Sequence, residues 1–172
     1  MLTKLILKHG DKVIYPICAF IVIALAAILI TIFVNTGEKT PATCEQVNDV
    51  LVNLGYNSAD STDYYVKQNS KLKSSVAGNN GNVSFYFFEF DDNDSDSALL
   101  TFENIQTQIK KKRELGYHDW DEHYNNYAMY SMSSNGIYYM TIWVGNTAIY
   151  AYCDEEHTGE LGEILTAIGY QS

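Results

Sequence analysis

The stretch Tyr127–Cys153, YAMYSMSSNGIYYMTIWVGNTAIYAYC, decides the fold. It divides into three runs rich in aromatic and β-branched residues, Tyr127–Ser133, Ile137–Val144 and Thr147–Cys153, with Asn135-Gly136 and Gly145-Asn146 at the joins. Asn-Gly supplies the positive φ angles of a two-residue hairpin, so the three runs read as an antiparallel meander. Upstream, Val83–Phe90 (VSFYFFEF) is apolar on both faces, too short for a typical helix, and bounded by Gly81 and an Asp cluster. That pattern predicts a central strand.

Around these strands the apolar period becomes helical. Thr43 with Gln46 three residues on fits a capping box, and Val47, Val50, Leu51 and Leu54 then share a face. Ala98, Phe102, Ile105 and Ile109 mark a second helix, with Asp94 and Asp96 at its start and Lys110–Arg113 at its end, as the helix dipole favours. A third begins near Thr158, with Leu161, Ile164, Leu165 and Ile168 facing inward. Leu54-Gly55-Tyr56, Leu115-Gly116-Tyr117 and Ile168-Gly169-Tyr170 each read as a helix stop, the glycine taking the left-handed position. Residues 57–82 give mixed signals, with Tyr64–Val66 a short strand, and Tyr117–Asn126 reads as an acidic, aromatic loop. The expected fold class is α+β, an antiparallel sheet that includes the C-terminal meander, with about three helices packed on one of its faces.

Before this domain lies Val13–Val34, 22 positions without a charge. As a helix it would measure roughly 33 Å, enough to cross a hydrocarbon core of about 30 Å. Lys4, Lys8 and Lys12 precede it, which by the positive-inside rule orients the chain. The expectation is a cytoplasmic N-terminus (1–12), a single-pass transmembrane signal anchor (13–34), a linker (35–42) and an extracytoplasmic domain (43–172). Residues 38–172 hold eight Lys or Arg against twenty Asp or Glu, a net charge of −12. Such a surface repels phosphate backbones, which argues against nucleic acid as a partner.

The chemistry-bearing motifs are sparse. Asp92, Asp94 and Asp96 with Glu103 match the spacing of a calcium loop, but its glycine position holds Ser97 and the flanks read strand and helix. Capping of the following helix explains the same carboxylates. His118, Asp119, Asp121, Glu122 and His123 could hold a divalent ion only with a third protein ligand and an orienting shell. Cys153 and His157 could form a nucleophile and base, although a spacing of four across a strand end predicts no geometry. No phosphate loop, nucleophile elbow or dinucleotide fingerprint is present, so no cofactor is expected.

What remains is aromatic. Tyrosines crowd the strands, and alternation sends Tyr139 and Trp143 to one face and Tyr138 to the other. With helices on one side only, Tyr130, Tyr138, Tyr150 and Tyr152 are candidates for a binding face toward a protein or cell-wall partner. The expected function is therefore a membrane-anchored, non-catalytic binding module or complex subunit, the alternative being a metal- or cysteine-dependent hydrolase. Cys44 and Cys153 are the two cysteines outside the apolar run and are expected to form a disulfide.

Overall fold

A computed structural model describes residues 38–67 and 69–171. Thr43 caps the first helix as a complete capping box: its side chain accepts from Gln46 N, and Gln46 Oε1 accepts from Thr43 N at 2.9 Å. The elements that follow are α1 (Cys44–Asn53), β1 (Asn57–Asp60), α2 (Thr62–Tyr65), β2 (Leu72–Asn79), β3 (Val83–Phe90), α3 (Ser95–Lys110), β4 (His118–His123), β5 (Tyr127–Ser134), β6 (Ile137–Val144), β7 (Thr147–Asp154), a 3-10 turn (Glu155–His157) and α4 (Thr158–Ala167).

All seven strands join one antiparallel sheet in the order β1-β2-β3-β7-β6-β5-β4. Two meanders, β1–β3 and β4–β7, meet where β3 pairs with β7, Phe87 opposite Ile149. β3 therefore sits near the middle of the sheet and is almost wholly buried. Because side chains alternate, the two faces carry separate cores. Phe85, Phe87, Ile142 and Ile149 pack with Val47 and Leu51 of α1 and Leu161, Ile164 and Leu165 of α4. Phe88, Phe90, Tyr130, Trp143 and Ala148 pack with Ala98, Phe102 and Ile109 of α3.

Three layers result, and this corrects the expectation of helices on one face. The crossover explains it: β3 is followed by the far edge strand β4, so α3 must travel across the sheet on the face that α1 and α4 leave open. The expected membrane anchor is also corrected. Among the described residues no helix is long and apolar enough to cross a membrane, and the run 13–34 lies outside them.

Smaller differences have local causes. Tyr64 and Tyr65 belong to the short helix α2 and not to a strand, with Tyr65 folded edge-on against Phe88 at 5.0 Å. Residues 118–123 form an edge strand in place of the expected loop, paired with β5 from His118↔Ser133 to His123↔Ala128. The stops at Gly55 and Gly169 are Schellman motifs: Tyr56 N donates to Leu51 O at 2.9 Å, Tyr170 N to Leu165 O at 2.8 Å, and both rings are buried. Gly116 closes no helix, since α3 ends at Lys110 and Leu115 is fully exposed.

Residues 38–42, part of the expected linker, lie against the sheet. Lys39 exchanges hydrogen bonds with the Asn126 side chain at 3.1 and 2.7 Å, and Ala42 N donates to the Tyr170 hydroxyl at 2.9 Å. Pro41 packs over the β6–β7 turn, where Gly145 has φ +53° and a Cβ would stand 2.6 Å from Pro41 Cγ. Gly145→Ala is expected to cost roughly 1–3 kcal/mol through this overlap and the strained φ. A thermal melt checks it, and an unchanged Tm would show that Pro41 does not dock there.

Candidate binding site

The path of α3 creates the site. It starts at the β6–β7 turn, where Ser95 Oγ donates to Gly145 O at 3.0 Å, and ends over β5, where Ser134 Oγ donates to Lys112 O at 3.0 Å. Crossing diagonally, it covers Trp143 and Ala148 but leaves bare the opposite end of β3, β7 and β6 on the same face. Sequence alternation fills that bare region with tyrosine.

Tyr86 on β3 stands opposite Tyr150 on β7, and Tyr152, two residues along β7, stands opposite Tyr139 on β6. The rings form a chain: Tyr86 to Tyr150 at 5.8 Å with planes 17° apart, Tyr150 to Tyr152 at 5.6 Å, and Tyr152 to Tyr139 at 6.3 Å. Tyr65 from α2 and Lys112 from the end of α3 wall this floor, and Ile137 completes a cleft of about 510 Å³. All five tyrosines are half-buried. The Lys112 ammonium lies 5.1 Å from the centre of the Tyr139 ring, a cation–π contact. Burial raises the Tyr65, Tyr86 and Tyr139 hydroxyls above the ordinary phenol value and pushes Tyr150 up to about 12. At neutral pH these groups are uncharged and able to donate a hydrogen bond.

Two of the four tyrosines expected at a binding face, Tyr150 and Tyr152, line this cleft. Tyr138 lies on the opposite face, in a second hollow of about 560 Å³ with Met140, Leu161 and Leu165 beside α4. Tyr130 is buried beneath α3, its hydroxyl donating to Asp119 Oδ2 at 3.0 Å and accepting from Arg113 Nη2 at 3.3 Å. Tyr65, Tyr86, Tyr139 and Lys112 were not assigned to a site from sequence. Only the pairing of β3 with β7 brings Tyr86 beside Tyr150 and Tyr152, and the i, i+2 pair Tyr150/Tyr152 was the one local signal.

The catalytic and metal constellations do not assemble. Asp94 caps α3, accepting from Ser97 N at 3.2 Å, and meets Lys71 at 3.4 Å. Asp92 is exposed beside Lys73, and Glu103 lies on α3 roughly 13 Å along its axis from Asp94. On β4, Asp119, Asp121 and His123 face α3, while His118, Trp120 and Glu122 face the other way. Asp121 is taken up by His123 at 2.9 Å and Gln106 at 3.2 Å. Among the described residues no group of three or more His, Cys, Asp or Glu side chains is placed to hold a metal ion.

Cys153 is buried on the α1/α4 face, three strands (about 14 Å) from β4. Burial pushes its thiol up to about 11, the reverse of an activated nucleophile, and His157 bonds to Glu160 at 2.8 Å. The expected disulfide is corrected as well, since Cys44 and Cys153 are both free. Cys44 N donates to Glu89 Oε2 at 2.7 Å, whereas Cys153 pairs with Val83, six residues away toward the other end of β3. Six strand residues span about 20 Å, far beyond what a bridge with Cα atoms about 6 Å apart allows.

No family model and no curated protein matches the sequence. Among solved structures the chain is similar to a GTP binding regulator from Thermotoga maritima, at a TM-score of 0.46 and 9% identity, over 76% of this chain and 90% of that one. That similarity is too weak to show a shared fold, and nothing about this protein follows from it.

Proposed function

We propose that this protein is a non-catalytic binding module that holds its partner in the tyrosine cleft. The observation that carries the reading is convergence: five half-buried tyrosines from four elements meet at one concave spot, while the titratable groups that hydrolysis would need scatter over both faces and the far edge. Tyrosine suits such a site because its ring contributes large apolar contact with few rotatable bonds, and its hydroxyl stays usable at the rim.

The competing account is that these rings are simply strand residues completing a sheet surface. The two accounts differ in energetics. If the rings are a site, Tyr152→Ala in the full chain is expected to lower Tm by no more than about 4 °C, corresponding to roughly 1 kcal/mol, and to weaken ligand capture about tenfold or more. Differential scanning calorimetry, with binding scored on panels of immobilised peptides and oligosaccharides, measures both. A loss of about 3 kcal/mol or more, comparable with a core deletion, would assign the ring to the fold and remove the binding reading.

A further inference from the structure

We infer that the cleft takes an extended, proline-rich peptide segment bearing carboxylates at the end that lies toward Lys112; this rests on the cleft being a binding site. The lining decides the chemistry. It consists of five phenols, one ammonium and Ile137, with no carboxylate, carboxamide or imidazole side chain. An ammonium only donates, and a neutral phenol both donates and accepts, so a ligand rich in acceptors can satisfy every polar group in the lining. A polyproline II segment is that ligand: it has no internal hydrogen bonds, its carbonyls are free, and proline carries no N–H that would need an acceptor.

Ring geometry points the same way. Tyr86 and Tyr150 lie nearly parallel, and the Tyr150, Tyr152 and Tyr139 rings are tilted by 35° to 38° to their neighbours. With centroids 5.6–6.3 Å apart, neighbouring rings leave slots between them. A pyranose stacks on an open ring face, whereas a pyrrolidine ring wedges into a slot between aromatic side chains. The dimensions agree: from β3 to β6 is two strand spacings, about 10 Å, and one polyproline turn rises about 9 Å.

Charge fixes the flank. Lys110, Lys111, Lys112 and Arg113 outnumber the two neighbouring carboxylates, Glu114 and Asp119, at the end of α3. Arg113 is paired with Asp119, and Lys110 lies over the Tyr130 ring. Lys112 forms no ion pair with a described residue and faces into the cleft. On a domain of net charge −12, this run of four basic residues is a place where an acidic ligand is attracted. The ligand is not a second copy of the chain, which has prolines only at positions 16 and 41.

The test uses the full chain and two labelled oligoproline peptides, one ending in two glutamates and one in two lysines, with chito-oligosaccharide as a third probe. Fluorescence anisotropy is expected to show saturable binding of the glutamate peptide, at least about fivefold tighter than the lysine peptide. Lys112→Glu, at an exposed position beyond the end of α3, should reverse that preference while the urea midpoint stays within the range of Tyr150→Phe. Tyr150→Phe and Tyr152→Phe, which keep the rings, should each weaken binding about two- to tenfold through the lost hydroxyl. No binding of either peptide, or binding indifferent to Lys112→Glu, overturns the inference. Capture of the oligosaccharide with dependence on Tyr152 would overturn it too while leaving the cleft as a binding site. Failure of all three probes, together with a core-sized stability loss in Tyr152→Ala, would remove both readings.

Discussion

Phe87→Ala is expected to unfold much of the population at moderate urea, with a stability loss of about 3–5 kcal/mol. The ring is wholly buried at the centre of the sheet, between Val76 of β2 and Ile149 of β7, in the core that α1 and α4 cover. Removing it deletes transfer energy and leaves a cavity that the strands on both sides hold open. Against a typical domain stability of about 5–15 kcal/mol this is a large share. Its neighbour Tyr86 is the internal control, because alternation puts that ring on the opposite face at the rim of the cleft. Tyr86→Ala should cost less than half as much. Equilibrium urea unfolding of both variants, read by midpoint at constant m, decides it. Equal losses would mean that the cleft rings belong to the core as fully as Phe87 does, which would also count against the binding reading.

That contrast shows what was legible in the sequence. Strands β3, β5, β6 and β7 announce themselves because burial on both faces demands continuous apolar and aromatic runs, and Asn-Gly punctuates them. Their registers, such as Asn135-Gly136 closing Ser134↔Ile137, follow from the turn. α1 was legible through Thr43 and Gln46, whose mutual capping is local chemistry. β2 was not, because LKSSVAGN alternates poorly and bulges between Leu72 and Ser74, so its strand state comes from pairing with β3. β4 was hidden for the same reason: HDWDEH is an edge strand whose charges suit solvent, and only β5 makes it extended.

The layer arrangement was illegible in principle. Periodicity identifies the face of a helix that is buried but not the side of the sheet that buries it. The crossover from β3 to β4 settles that, and it depends on β7 returning to pair with β3. The cleft inherits the same limit. Tyr150 and Tyr152 stand out as a same-face pair on one strand, yet Tyr86 lies 64 positions before Tyr150 and becomes their neighbour only through that long-range pairing. Carboxylate and histidine clustering along the chain does not become a cluster in space, because strand alternation splits Asp119 and Asp121 from His118, and capping consumes Asp94, as the spacing before α3 had suggested.

Glu89 should make the fold acid-sensitive in a way that one substitution removes. It is a buried carboxylate on the central strand, and three donors converge on it: Lys73 Nζ at 2.7 Å, Cys44 N at 2.7 Å and Ser74 Oγ at 3.2 Å. It thereby ties the first residue of α1 to β2 and β3. Burial alone would raise its pKa, but the hydrogen bonds from Lys73, Cys44 and Ser74 and the Lys73 charge outweigh burial, and the net shift is downward. A carboxyl whose folded pKa lies below its unfolded value of about 4.3 contributes stability that is complete above that value. The contribution fades as pH falls through the folded pKa, where the folded state also takes up the proton. Glu89→Gln keeps the shape and one acceptor but loses the charge and turns an amide donor toward Lys73 or Cys44 N. Lys73 is half exposed and can turn to water, which moderates the loss to about 1.5–3 kcal/mol at neutral pH. Urea unfolding of both proteins at intervals from about pH 7 to about pH 3 should show the two stabilities converging toward the acid end. Other carboxylates titrate in both proteins, so the difference between them isolates Glu89. A gap that stays constant across that range would show that the charge of Glu89 is not what holds α1 to the sheet.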